Sequence, residues 1–306
     1  MKKKPGIVYP DADETEGSEF GALFSRLESF ADFSVIHGQP SSAEEFIRRI
    51  GDARGVLLGW GMPGEVMAGC PSLEVISFTG YGVSKFVDMA LAGEREITVC
   101  NCPGYSDVTV AEHAMALLLA VTRHIPRLDD GLRSGSWNQS LPAMELSGKT
   151  IGLVGFGGIA RHFSGLCNAF GMRVKVWNRT ENLAWEQQYN VTCCTLDELY
   201  ADCDIISLHL AANPQTEGFM NQQSFAQLKE GAILVNTARA ELVDEAALIE
   251  ALSSGKLCAA GLDVYHQEPL PRDNPLISMD NVVLTPHVGF NTPEAVYRLF
   301  DIAVGN

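Results

Sequence analysis

One stretch limits what this chain can fold into more than any other: TIGLVGFGGIARHFSGLCNAF, residues 150–170. An apolar run leads into Gly155, Gly157 and Gly158, and a helix-forming segment follows. The spacing from Gly155 to Ala160 reads G-x-G-x-x-A. Each position answers a physical demand: a tight turn at Gly155, close approach of a pyrophosphate at Gly157, and a small residue at Ala160 where helix meets strand. The first N–H groups of the helix, with Gly158 and Ile159 at its start, are then free to bind phosphate. A plain structural turn is the competing explanation. The strand–turn–helix context and a second strand-like run, MRVKVW (172–177), favour a dinucleotide site.

The same alternation runs through the rest of the chain. TIGLVG (150–155), MRVKVW, CDIISLHL (203–210), GAILVN (231–236), KLCAAGLDV (256–264) and NVVLT (281–285) read as strands buried on both faces. Residues 159–170 and 244–255 read as helices between them. An earlier, shorter series comprises GIVYP (6–10), GVLLGW (55–60), LEVISFT (73–79) and ITVCN (97–101). A single long helix is expected over 103–125, capped by Ser106 or Asp107. Two doubly wound α/β domains with parallel sheets follow from this order.

The residues after the second strand of the glycine unit, Asn178-Arg179-Thr180, are unusual. Asn178 stands 23 residues after Gly155, near the offset at which an Asp or Glu would hold the ribose 2′-OH of NAD. A carboxylate there repels a 2′-phosphate. Asn178 removes that repulsion, while Arg179 offers a charged fork and Thr180 a hydroxyl. The expectation is NADP(H) in preference to NAD(H). The alternative is that Arg179 points to solvent and either cofactor binds.

Bulk properties narrow the partners. The 306 residues carry a formal charge of −16, which argues against nucleic acid or an anionic membrane surface as a partner. The longest apolar runs, such as 114–121, are too short to span a bilayer. The MKKK start is followed by PGIVYPD rather than an apolar signal region. Eight cysteines fall in no C-x-x-C pair, so a reduced, cytoplasmic protein is expected, with no metal site.

Three further stretches lie at the C-terminal ends of expected strands, where open α/β sheets bind ligands. They are VNTARAELVDEAAL (235–248), LDVYHQEPLP (262–271) and LTPHVGFNT (284–292). Together with TGYG (79–82) and Asp88, NCPGYSDVTVAEHAMALLLAVTR (101–123) and ELSGKTIGLVGFGGIA (145–160), they resemble the D-isomer-specific 2-hydroxyacid dehydrogenase family over nearly the whole chain. The resemblance implies a cofactor domain inserted in a discontinuous substrate domain: 1–101 as the first part of the substrate domain, 102–284 as the Rossmann domain, 285–306 as the return segment. It implies Arg239 as the holder of the substrate carboxylate, His287 as general acid/base and Glu268 as its paired carboxylate. It also implies substrate contacts from the backbone of Gly80, Tyr81 and Gly82, and cofactor contacts from Thr237, Ala238 and Asp263. The chemistry suits these types, since hydride addition to a 2-oxo group needs a proton donor near neutral pH and an oriented carboxylate.

The extra residue between the TGYG glycines and Asp88 resembles the glycerate dehydrogenase and hydroxypyruvate reductase branch. With Asn178-Arg179 it points to an NADPH-dependent reduction of glyoxylate or hydroxypyruvate by a homodimer, the AMALLLAV face being the expected dimer contact or else core. LGWGMP (58–63) and the Trp137 segment are candidates for the wall that reads the substrate side chain. Ala240 stands where the family usually has glycine, so its backbone is expected to avoid positive φ. His113 and His209 are read as structural, and His266 stays open. A bulkier 2-oxo acid, or a cofactor-sensing corepressor-like binding protein on the same fold, are the alternatives. A formate dehydrogenase-like reading would need Gln where Glu268 stands.

Overall fold

The computed structural model describes residues 4–180 and 182–306; the basic residues at positions 2 and 3 lie outside them. Among the described residues, twelve strands form two wholly parallel sheets. In the first are β1 (Gly6–Ala12), β2 (Asp32–His37), β3 (Gly55–Leu58), β4 (Val75–Phe78) and β5 (Thr98–Cys100), in the order β2-β1-β3-β4-β5. In the second are β6 (Thr150–Val154), β7 (Arg173–Trp177), β8 (Thr192–Cys193), β9 (Ile205–Leu208), β10 (Ala232–Asn236), β11 (Leu257–Leu262) and β12 (Val282–Leu284), in the order β12-β11-β10-β9-β6-β7-β8.

Two strands were not legible as apolar runs. β2 alternates exposed and half-buried residues, as an edge strand does, and β8 is two residues long at the other sheet's edge. The central strands are different. Every residue of β3, β6, β9 and β10 is buried. Successive side chains of β6 enter opposite faces, Leu153 into one apolar layer and Val154 into the other.

The chain divides into two compact units, one running through Ser106 and resuming at Thr292–Asn306, the other Asp107–Asn291. Both boundaries fall a few residues later than the sequence suggested. Residues 285–291 belong to the second unit because Val288 and Gly289 donate backbone N–H groups to the carboxylate of Asp263. The return helix Pro293–Gly305 completes the first unit's core, its Phe300 ring stacked on Phe20 at 4.3 Å.

The expected helix over 103–125 is two helices. Asp107–Thr122 ends before His124, which adopts φ +53°, and Ile125–Arg133 follows at a 60° bend. Pro126 explains the break, since it lacks an N–H and its ring excludes the carbonyl four residues earlier. The AMALLLAV residues are core: Ala114, Met115, Leu117, Leu118 and Val121 are buried against their own sheet and the Gly158–Ala169 helix. Among the described residues no single helix is long and apolar enough to cross a membrane.

Candidate active site

In the second sheet, strand order reverses between β6 and β9, so their C-terminal ends border the switch point where open α/β sheets receive ligands. Gly155 leaves β6 at φ +93°, and a Cβ there would stand 2.8 Å from the carbonyl oxygen of His209, just beyond β9. Only glycine fits. At Gly157 the opposite holds, because a Cβ would meet nothing within 4 Å. Gly157 is also the N-cap of Gly158–Ala169, and no side chain caps that helix. The turn thus offers uncapped N–H groups beside open space, which fits a phosphate. Gly157→Val is expected to cost about 1 kcal/mol of stability, as a poor N-cap does, yet to weaken dinucleotide binding at least about tenfold. Fluorescence titration against a melting curve separates the two. A loss of fold in parallel with binding would assign Gly157 to packing.

Asp107 is a neighbour of this turn that sequence reasoning treated only as a cap. A side chain at Gly158 would run into the Asp107 carboxylate. The approach joins two helix starts far apart in sequence, which no local pattern reports. Ala160, in the third glycine position, is fully buried.

Asn178 follows β7 and ties the glycine turn to its own loop. Its Oδ1 accepts from the Phe156 N–H at 3.3 Å, and its Nδ2 donates to the Thr180 carbonyl at 2.9 Å. Arg179 and Thr180 are exposed beside it. A second guanidinium, Arg161, lies 5.4 and 5.8 Å from the ring centroids of Trp185 and Tyr189 in the next helix.

Arg239, Glu268 and His287 follow β10, β11 and β12, three neighbouring strands. His287 Nδ1 and Glu268 Oε2 are 2.9 Å apart, and both side chains are half-exposed. The other carboxylate oxygen of Glu268 accepts from the Tyr265 N–H at 3.0 Å. The Glu268–Pro269 peptide is cis. His287 adopts φ +53°, a region L-residues with a Cβ visit rarely.

The Thr237-Ala238-Arg239 loop is laced by buried Asn236, whose Oδ1 accepts from the Ala238 N–H and whose Nδ2 donates to the Arg239 carbonyl. Arg239 Nη1 donates to the Ala238 carbonyl at 2.6 Å. Ala240 is not among the residues with positive φ and starts a 3-10 turn. Thr237 Oγ1 is buried with no partner among the described residues. A buried hydroxyl left so is costly unless something else binds it, and its place beyond β10 on the switch-point edge suits a dinucleotide.

Asp263, expected at the nicotinamide, is 1% exposed, with donors on both oxygens. Burial alone would raise its carboxyl, but hydrogen bonds from His113, Thr285, Val288 and Gly289 hold it below the ordinary range. His209 is read as structural with reason: burial pushes its imidazole down to about 3, and its Nε2 pairs with Ser207 Oγ. His266, left open by sequence, has its Nε2 on the Val243 carbonyl at 2.9 Å.

In the first unit, Gly80-Tyr81-Gly82 follows β4, and Tyr81 is 57% exposed. A Cβ on Gly80 would collide with the Phe78 ring. Asp88 caps Met89–Glu94 by accepting from the Ala90 and Leu91 N–H groups. Trp60, after neighbouring β3, is 55% exposed, while buried Asp11 accepts from its N–H and from that of Gly59. Trp137 lies in the second unit, largely exposed.

Residues 115–289 match the model of the D-isomer specific 2-hydroxyacid dehydrogenase NAD binding domain. A hydroxypyruvate reductase of Blautia hydrogenotrophica is 38% identical over 86% of this chain and 84% of its own. A D-3-phosphoglycerate dehydrogenase of Archaeoglobus fulgidus is 37% identical over 83% of this chain, which spans 49% of that relative. Among solved structures, an acyclic imino acid reductase in complex with NADPH and D-Arg superposes with a TM-score of 0.83 at 31% identity, covering 97% of this chain and 94% of that one.

Proposed function

Since the chain belongs to the D-isomer specific 2-hydroxyacid dehydrogenase family of oxidoreductases, we propose that it reduces a small 2-oxo acid of the glyoxylate or hydroxypyruvate kind to the D-2-hydroxy acid, preferring NADPH. The observation that carries this reading is the 2.9 Å pair of His287 and Glu268, on loops next to that of Arg239 at the C-terminal edge of one sheet.

A bound nicotinamide would supply the hydride. Arg239 binds the substrate carboxylate through its planar fork and turns one face of the 2-oxo group toward that hydride. His287 gives a proton to the carbonyl oxygen from Nε2, because Nδ1 is taken up by Glu268. The Glu268 carboxylate, paired with Nδ1, fixes the plane of the imidazole. Gly80, Tyr81 and Gly82 supply backbone donors to the substrate carboxylate. Gly155, Gly157, Gly158 and Ile159 would hold the pyrophosphate, and Thr237 and Ala238 the nicotinamide end.

The cofactor preference rests on Asn178, Arg179 and Thr180. Asn178 spends both ends of its amide on the backbone, so it adds no charge where a 2′-phosphate arrives. Asn178→Asp with Arg179→Ala is expected to turn the preference toward NADH, by about tenfold or more in the ratio of kcat/KM values. Side-by-side oxidation of NADPH and NADH at 340 nm with hydroxypyruvate, glyoxylate and pyruvate tests both claims. Turnover with NADH alone in the parent keeps the reaction and removes the role of Arg179. No turnover with these or bulkier 2-oxo acids returns the corepressor-like reading.

The proposal includes a cytoplasmic homodimer. Cys70, Cys102, Cys167 and Cys203 are buried thiols outside any disulfide, the form a reducing compartment maintains. Ile125, Leu132 and Trp137 expose apolar surface on the helix Ile125–Arg133 and the segment beyond it, and this replaces the buried helix before them as the self-contact. Light scattering of the parent and of Trp137→Ser gives the mass directly.

A further inference from the structure

We infer that Thr285 and His113 close on buried Asp263 as a clamp that sets the conformation of the His287 loop, which makes Asp263 a positioning residue for that loop. This rests on reading His287 as the proton donor.

His287 stands at φ +53°, so some outside interaction must keep its backbone there. The carboxylate of Asp263 grips the loop on both sides of it. Thr285 Oγ1 donates to Asp263 Oδ1 at 2.6 Å, the Val288 N–H to the same oxygen at 3.0 Å, and the Gly289 N–H to Oδ2 at 2.9 Å. Pro286 brings no N–H, and that of His287 turns back to the Thr285 carbonyl. The loop is therefore held by its neighbours, leaving the imidazole free to meet Glu268.

Asp263 is itself fixed. Its N–H continues the ladder to the Asn236 carbonyl. His113, from the Asp107–Thr122 helix, brings Nε2 to 2.9 Å from Thr285 Oγ1 and 3.3 Å from Asp263 Oδ1. The Thr285 hydroxyl has already given its proton to Asp263, so His113 Nε2–H must be the donor. There is no slack: a Cβ on Gly289 would lie 3.0 Å from Asp263 Oδ2 and 3.2 Å from the His113 ring. Buried Tyr265 joins the two halves of the pair. Its N–H binds Glu268, and its hydroxyl donates to the Thr285 carbonyl at 2.9 Å.

The test compares Thr285→Val, which keeps shape and removes the hydroxyl, with Thr285→Ser, which keeps the hydroxyl. Three quantities are measured on the whole protein: kcat for 2-oxo acid reduction, the dissociation constant for NADPH, and the ring resonances of His287 at one pH. Those resonances are read in histidine-labelled protein and assigned with His287→Gln. Thr285→Val is expected to lower kcat about 10- to 100-fold, the cost of a displaced catalytic group, to leave NADPH binding within about threefold, and to move the His287 resonances. Thr285→Ser is expected to restore all three. Resonances and kcat that match the parent in Thr285→Val overturn the clamp. Moved resonances in a protein that reduces no 2-oxo acid keep the clamp and remove the proposed reaction. Should Thr285→Val fail to fold, Tyr265→Phe loosens the same loop from the other side and is judged by the same readouts.

Discussion

Replacing His287 by alanine is expected to lower kcat by about 10²–10⁴-fold, the usual contribution of a positioned acid or base, with little change in NADPH affinity. The two effects separate because the imidazole sits beyond β12, whereas the glycine turn that would hold the pyrophosphate follows β6. Stability should change little. The side chain is half-exposed, so water can solvate the Glu268 oxygen it leaves. Histidine tolerates φ +53° better than alanine does, so His287→Gln serves as the control for loop strain. Steady-state kinetics with a cofactor titration decides the matter. Unchanged kcat in both variants would remove the acid role.

The second large effect is expected at Arg239. Arg239→Ala should reduce kcat/KM about 10³-fold, equivalent to ~4 kcal/mol of transition-state stabilisation. The loss is expected to fall on substrate recognition and orientation together, because in the proposed reaction one guanidinium performs both. Arg239→Lys keeps the charge without the planar fork and should recover only part. The main chain is not expected to collapse. Asn236 holds the Ala238 N–H and the Arg239 carbonyl with its own amide, and both bonds survive a change of side chain at 239. Partial rescue of Arg239→Ala by added guanidinium is the informative measurement. Full activity without rescue would place substrate recognition elsewhere.

Much of the architecture was legible because it is written locally. β6, β9 and β10 are buried along their whole length and mostly apolar, as strands covered on both faces must be. The turn at Gly155 was legible for a similar reason, since a strand that bends at φ +93° against another backbone admits one residue type. β2 and β8 were missed because edge strands are half-solvated and carry no such run. The break at His124 is signalled locally by Pro126, which the apolar stretch before it masks.

The site divides along the same line. Residue types and order suggested Arg239, Glu268 and His287, and the fold sets the last two 2.9 Å apart. Residue order alone carries the α/β class, the glycine turn, and the side chains whose chemistry suits a 2-oxo acid. What surrounds them depends on the folded chain. The helix at 107–122 proved to be core, Asp107 lies against Gly158, and Asp263 and Thr285 meet His113 from more than 140 residues away. The physical reason is that parallel strands return to one edge only through long crossovers. Groups that meet there have no spacing in the chain to announce them, and their hydrogen bonds exist only once the sheet has been ordered.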